Sequence, residues 1–270
     1  MHLRFPAALV AASCLAVNVS VAQTAADLAR LAPTAQRITR TALADTQPYR
    51  RLGALVDGFG HRLSGSAALE QAIDWILDEM KRDGFANVRG EPVMVPHWVR
   101  GAESATLIAP REAPLHMLGL GGSVGTPPDG ITAEVLVVHS FDELERRKAE
   151  ATGKIVLFNV PFPKDSAPFA GYDVAVRYRG YGATAAATAG AVASLLRSVA
   201  TFSIQSPHTG GMRYDTTVTK IPSAALSIED ADMLDRMQSR GDRVRVKLVM
   251  NAQMLADAPK IGRASCRERV

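Results

Sequence analysis

The stretch GITAEVLVVHSFDEL, residues 130–144, decides how this chain is read. Residues 133–138 are a short valine- and leucine-rich run of the kind that forms a buried strand. At Ser140 the pattern changes to that of a helix start. Ser140 or Asp142 can cap, and Asp142 and Glu143 sit where the positive end of a helix dipole favours acids. The spacing predicts a helix over 141–151 that ends at Gly153. The same pattern returns at Ile228-Glu229-Asp230 and predicts a second helix ending at Gly241. Further short strands are expected at 116–120, 154–160, 191–196, 223–227 and 243–249. Between Tyr172 and Gly190 an Ala-rich stretch, dense in Gly and Thr, suits a helix packed tightly on a sheet. Helix and strand are hardest to separate over 183–198. The fold class is therefore α/β, with a small α+β or barrel-like module over roughly 113–250.

The chain before this module is helical. Leu28, Leu31, Ala35, Ile38 and Leu43 recur at helical spacing, and Tyr49, Leu52, Leu55, Val56 and Phe59 form a second such set. The clearest helix follows the turn Arg62-Leu63-Ser64-Gly65-Ser66. Ser66 can cap it, Leu69, Ile73, Ile76, Leu77 and Met80 make its stripe, and Gly84 ends it. From Phe85 the period becomes two. Val93 and Val95 alternate in a run holding Pro92 and Pro96, which confines it to a sheet edge. Residues 106–109 form another strand before Pro110.

The 270 residues are 47% hydrophobic and 21% charged, which suits one or two globular domains and excludes disorder, collagen-like repeats and a polytopic membrane protein. Both ends distort the charge. Residues 1–22 carry a short basic start (His2, Arg4), an apolar run and a Ser20-Val21-Ala22 cleavage pattern, so they are expected to be a signal peptide. Residues 261–270, back-translated, resemble a widely used sequencing adapter and are read as non-native. Setting both ends aside removes four of 31 basic and one of 27 acidic residues, so the net charge falls from +4 to +1. No basic patch remains to suggest nucleic acid. Cys14 and Cys266 fall in these same ends, which leaves no cysteine for disulfides or thiolate metal ligands.

Gly121-Gly122-Ser123-Val124-Gly125 satisfies the G-x-S-x-G pattern of a nucleophile elbow. The pattern needs a helix directly after it, and Thr126-Pro127-Pro128-Asp129-Gly130 cannot begin one, so Ser123 is read as part of a glycine-rich loop. The segment also fails the dinucleotide fingerprint, because Val124 stands where the third glycine belongs. The histidines His61, His97, His116, His139 and His208 form no H-x-x-x-H or H-E-x-x-H pair, so no helical zinc face exists. His139-Ser140-Phe141-Asp142-Glu143 mixes His, Ser and two carboxylates, but capping explains it. No catalytic and no metal residue is assigned, and no substrate-binding residue can be named.

Longer strings carry a resemblance. They are Leu55-Val56-Asp57 with Arg62-Leu63-Ser64-Gly65-Ser66, Val95-Pro96-His97-Trp98-Val99-Arg100-Gly101, residues 130–138, Ser140-Phe141-Asp142-Glu143-Leu144, Arg197-Ser198-Val199-Ala200, Ser206-Pro207-His208-Thr209-Gly210 and Lys220-Ile221-Pro222. Together, over residues 45–259, they resemble the carboxypeptidase Q family of two-zinc metallopeptidases. The resemblance implies a di-zinc aminopeptidase-like α/β domain interrupted by a protease-associated domain. On that reading 23–112 is the first part of the peptidase domain, 113–250 the insertion and 251–260 the return toward the peptidase domain. The signal-like start and the sequon-free remainder are read as export to the periplasm or the medium, and the resemblance adds that animal relatives are secreted or lysosomal. Two zinc ions would activate water against dipeptides and short peptides, with no membrane span, and a homodimer stays open. The family's metal ligands and general base lie after the insertion, and no residue here matches them, so this chain alone is expected to be an inactive fragment. The alternatives are a non-catalytic binding protein built on a protease-associated domain, and an aminopeptidase of the same superfamily.

Overall fold

The computed structural model describes residues 25–163, 168–202 and 205–265, with side chains over 28–163, 171–202 and 205–259. The expected signal peptide and both cysteines lie outside these residues. Met1–Gly58 and Phe59–Val270 are two compact units. The first contains α1 (Ala25–Ala44) and most of α2 (Gln47–Phe59), helices at the two expected positions. Leu28, Leu31, Ile38, Leu43, Leu52 and Val56 on them are exposed.

The second unit opens with α3 (Ala67–Arg82). Ser66 caps it as expected, accepting a hydrogen bond from Leu69 N at 3.2 Å. Next comes β1 (Arg89–Val99), which pairs antiparallel with β10 (Gln253–Ser265). The register slips between Glu91 and Pro92 and again between Val95 and His97, which places both prolines at bulges, where a missing N–H is tolerated. β10 carries no strand signal of its own, and it crosses from the native-looking sequence into residues 261–265.

The remaining strands are β2 (Glu103–Ala109), β3 (Ala113–Leu115), β4 (Met117–Gly119), β5 (Ile131–Val138), β6 (Ile155–Phe158), β7 (Ala193–Arg197), β8 (Ser223–Leu226) and β9 (Arg245–Met250). They form one sheet in the order β3-β2-β9-β5-β6-β7-β8-β4. The run β5-β6-β7-β8 is parallel and the outer pairs are antiparallel. β3 and β4 sit at opposite ends of this order yet are separated only by His116. The sheet must therefore curl until its ends meet. Glu103 Oε1 on β2 helps join the ends by accepting from Gly119 N on β4 at 3.0 Å. β2 lies before the boundary expected at residue 113, but it pairs with both β3 and β9, so the sheet reaches back to residue 103. The pairing partners come from 113–115 and 245–250, and a local reading of 103–109 cannot see them.

Helices cover the two faces of the parallel strands. The single helix expected over 141–151 is divided at Arg147 into α4 (Phe141–Arg146) and α5 (Lys148–Ala151). α6 (Pro168–Thr188) and α7 (Ile228–Ser239) follow the expected positions. Alternate strand residues feed two cores. Val135, Val137, Ile155, Leu157, Leu195 and Leu226 meet Leu234 of α7, while Leu136, Val138, Val156, Phe158 and Leu196 meet Leu144 of α4 and Ala183 and Ala186 of α6. Burial on both faces explains why these strands read as unbroken apolar runs.

Candidate functional site

In open parallel sheets the polar groups that act on ligands collect beyond the carboxyl ends of the strands. Here that edge carries a connected set. His139 follows β5, Asn159 follows β6 and Arg197 ends β7. Asp232 and Asp235, three residues apart on α7, share a helix face and point back at them. Glu143 comes from the first turn of α4.

Asn159 is the centre of the set and only 3% exposed. Its Nδ2 donates to Asp235 Oδ2 at 2.7 Å and to Asp232 Oδ1 at 3.2 Å. Its Oδ1 accepts from Arg197 at 3.2 Å, and the same guanidinium donates to Asp232. The Arg197 Nε is buried with no hydrogen-bond partner among the described residues. His139 bridges two helices, with Nε2 at 2.8 Å from Asp235 Oδ2 and Nδ1 at 3.2 Å from Glu143 Oε2. Burial works against the charged imidazole, but the two carboxylates outweigh it and hold the His139 pKa above its ordinary value. Burial also opposes the Glu143 charge. The His139 backbone N–H, Arg147 and the imidazole prevail, and the carboxyl lies below the usual range. Glu143 N donates to Ser140 Oγ at 3.0 Å, so the capping expected from sequence is present alongside the bridge.

The Asn159 amide and both His139 ring nitrogens are used within the set. The arrangement ties α4 and α7 to the strand ends, and it can take up a proton at His139. It leaves no free base beside a free nucleophile. Sequence reading missed Asn159, Arg197, Asp232 and Asp235, because their partners lie 35 to 76 residues apart in the chain. The only available signal was that each strand ends in a polar residue.

Ser123 is 1% exposed and lies in a loop after β4. Its Oγ donates to Val124 O at 2.9 Å and accepts from Ser223 N at 2.8 Å. Trp98 Nε1 donates to Ser123 O at 2.8 Å. Ser123 thus fastens the loop and offers no exposed hydroxyl. His61 is exposed beyond α2, and His116 joins β3 to β4 and meets Asp230 through both its N–H and Nδ1 at 2.6 and 3.0 Å. The His97 ring lies on Gly65, whose φ is +87° and where an added Cβ would come within 2.4 Å of the imidazole. Two of the strings that carry the family resemblance therefore meet there. His208 lines a cavity at the ends of β6 and β7. Among the described residues no three His, Cys, Asp or Glu side chains converge to hold a metal ion.

Comparison with known proteins gives a consistent picture. Carboxypeptidase Q of Bos taurus is 54% identical over 215 residues, 80% of this chain and 44% of that protein. Carboxypeptidase Q of Homo sapiens is 51% identical over 214 residues, 79% of this chain and 44% of that protein. Among solved structures, a peptidase M28 precursor from Shewanella amazonensis matches with a TM-score of 0.79 and 31% identity, covering 84% of this chain and 52% of that one. No family model matches. The chain spans less than half the length of the curated relatives it matches. The mixed helix-and-sheet fold with its curved sheet is that of the M28 peptidase neighbour.

Proposed function

We propose, from the homology of this chain to the carboxypeptidase Q proteins, that it is the N-terminal part of an exported zinc-dependent exopeptidase acting on dipeptides and short peptides. The observation that carries the reading is 51–54% identity over about four-fifths of the chain to proteins of that name. Residues 1–22 are the signal peptide, and export leads to the periplasm or the medium. Residues before β1 begin the peptidase domain, and the curled sheet from β2 to β9 is the inserted protease-associated domain. β10 returns the chain toward the peptidase domain, and 261–270 are adapter-derived. Zinc, two ions in the whole enzyme, would be held by residues beyond 260. When bound it would activate water and polarise the scissile carbonyl. The chain's own part is to supply the first helices of that domain and the insertion. The test is to express the reading frame continued past residue 260. Metal analysis should find about two zinc ions per chain, and unblocked dipeptides should be cleaved in a chelator-sensitive way. A folded, extended protein that holds no zinc and cleaves no dipeptide would favour the non-catalytic binding protein.

A further inference from the structure

Beyond the carboxyl ends of β6 and β7 lies a cavity of about 440 Å³. Phe162, Tyr172, Val199, Phe202 and Pro207 make its apolar walls, and His208 supplies its imidazole. The wall is fastened to the sheet, since His208 N donates to Ser198 Oγ at 2.9 Å and that hydroxyl donates to Leu226 O at 2.6 Å. The His208 ring stands edge-on to Tyr172 at 6.5 Å, and its nitrogens meet no hydrogen-bond partner among the described residues. Burial and then the nearby Arg179 charge push its pKa down, so at neutral pH the ring is uncharged and can both donate and accept. Phe202, which also lines the cavity, is 70% exposed.

Apolar walls of side-chain size, with Thr201 and Ser206 among the lining and one unpaired polar group, at the carboxyl edge of parallel strands are the usual make-up of a small-ligand site. We propose that this cavity takes the bulky apolar side chain of a peptide, with His208 hydrogen-bonding to the peptide's amide. The choice of a peptide as carrier rests on the peptidase reading above; the pocket does not. It belongs to the curled sheet and needs no metal.

The test uses the 270-residue chain and N-acetyl-phenylalanine amide, a probe blocked at both ends that no exopeptidase can trim. Titration followed by NMR at the His208 ring protons should show saturable shifts and a further fall in the His208 pKa. Phe202→Ala, at an exposed position that does not endanger folding, should weaken binding several-fold, and His208→Leu by about five- to tenfold. Shifts that do not saturate, or binding unchanged in both variants, would overturn the proposal. Toluene binding as tightly as the amide would refute the peptide as occupant. Failure of the peptidase reading would appear separately, as missing hydrolysis in the extended protein while the probe still binds here.

Discussion

Replacing Asn159 by Ala removes the centre of the network at the strand ends. Asn159 donates to Asp232 and Asp235 and accepts from Arg197, and it is almost wholly enclosed. Losing it deprives two carboxylates of donors and a guanidinium of an acceptor, in a place water reaches poorly. Leaving a fully buried partner unsatisfied costs about 1–3 kcal/mol per group. These partners are only partly buried, with the Asp232 side chain 36% exposed, and Arg197 and His139 still serve the two aspartates, so the loss is smaller than the full sum. The expected loss is therefore about 2–4 kcal/mol. At about 2–4 °C per kcal/mol for a unit of this size, Tm should fall by roughly 4–16 °C. Asn159→Asp keeps the shape but puts a third carboxylate beside Asp232 and Asp235, and it should cost at least as much at pH 7. Lowering the pH toward 4 should recover part of that loss for Asn159→Asp alone. Urea unfolding of parent and variants, followed by circular dichroism, measures both. Asn159→Ala within about 0.5 kcal/mol of the parent, while the core control Leu234→Ala loses its usual 2–5 kcal/mol, would show that the network adds nothing to stability.

The bridge from His139 to Asp235 and Glu143 predicts a pH dependence. Because folding raises this pKa, the stabilisation is fully present below the ordinary value of 6.5 and is lost as pH rises through the raised folded value. With half of the side chain in water the effect should stay below about 1 kcal/mol; His139→Gln should flatten the stability profile across that window, and an unchanged profile would refute the assignment. Ser123→Ala in the extended protein should leave turnover within a few-fold, whereas a loss of about a thousandfold would revive the serine nucleophile. Limited proteolysis should remove the exposed helices α1 and α2 first and leave a resistant fragment from about β2 to β9, with mass spectrometry of the fragments as the readout; uniform resistance from residue 28 onward would contradict it.

Most of the secondary structure was legible because it depends on neighbours. Ser66, Ser140 and Ser227 each accept a hydrogen bond from the backbone N–H three residues on, and a cap of that kind can be read from a few consecutive residues. The strands between 131 and 226 were legible because burial on both faces demands apolar residues throughout. β10 was not, since Gln253–Ser265 lacks such a run and is a strand only because β1 lies beside it. The division of one expected helix at Arg147 was equally hidden, as was the reach of the sheet back to β2.

The α/β class, the capped helices, the family resemblance in the long collinear strings and the rejection of Ser123 as an elbow were all legible in the residues alone. These follow from short-range patterning or from many matched residues in order. The closure of the sheet across His116, the bridging role of His139 beside its place next to a cap, and the joining of the β6 and β7 ends to α7 through Asn159 arise only in the folded chain. Each of these depends on groups brought within 3.2 Å across tens of residues of chain, and no local rule of spacing encodes a pairing that arises only when the sheet curls.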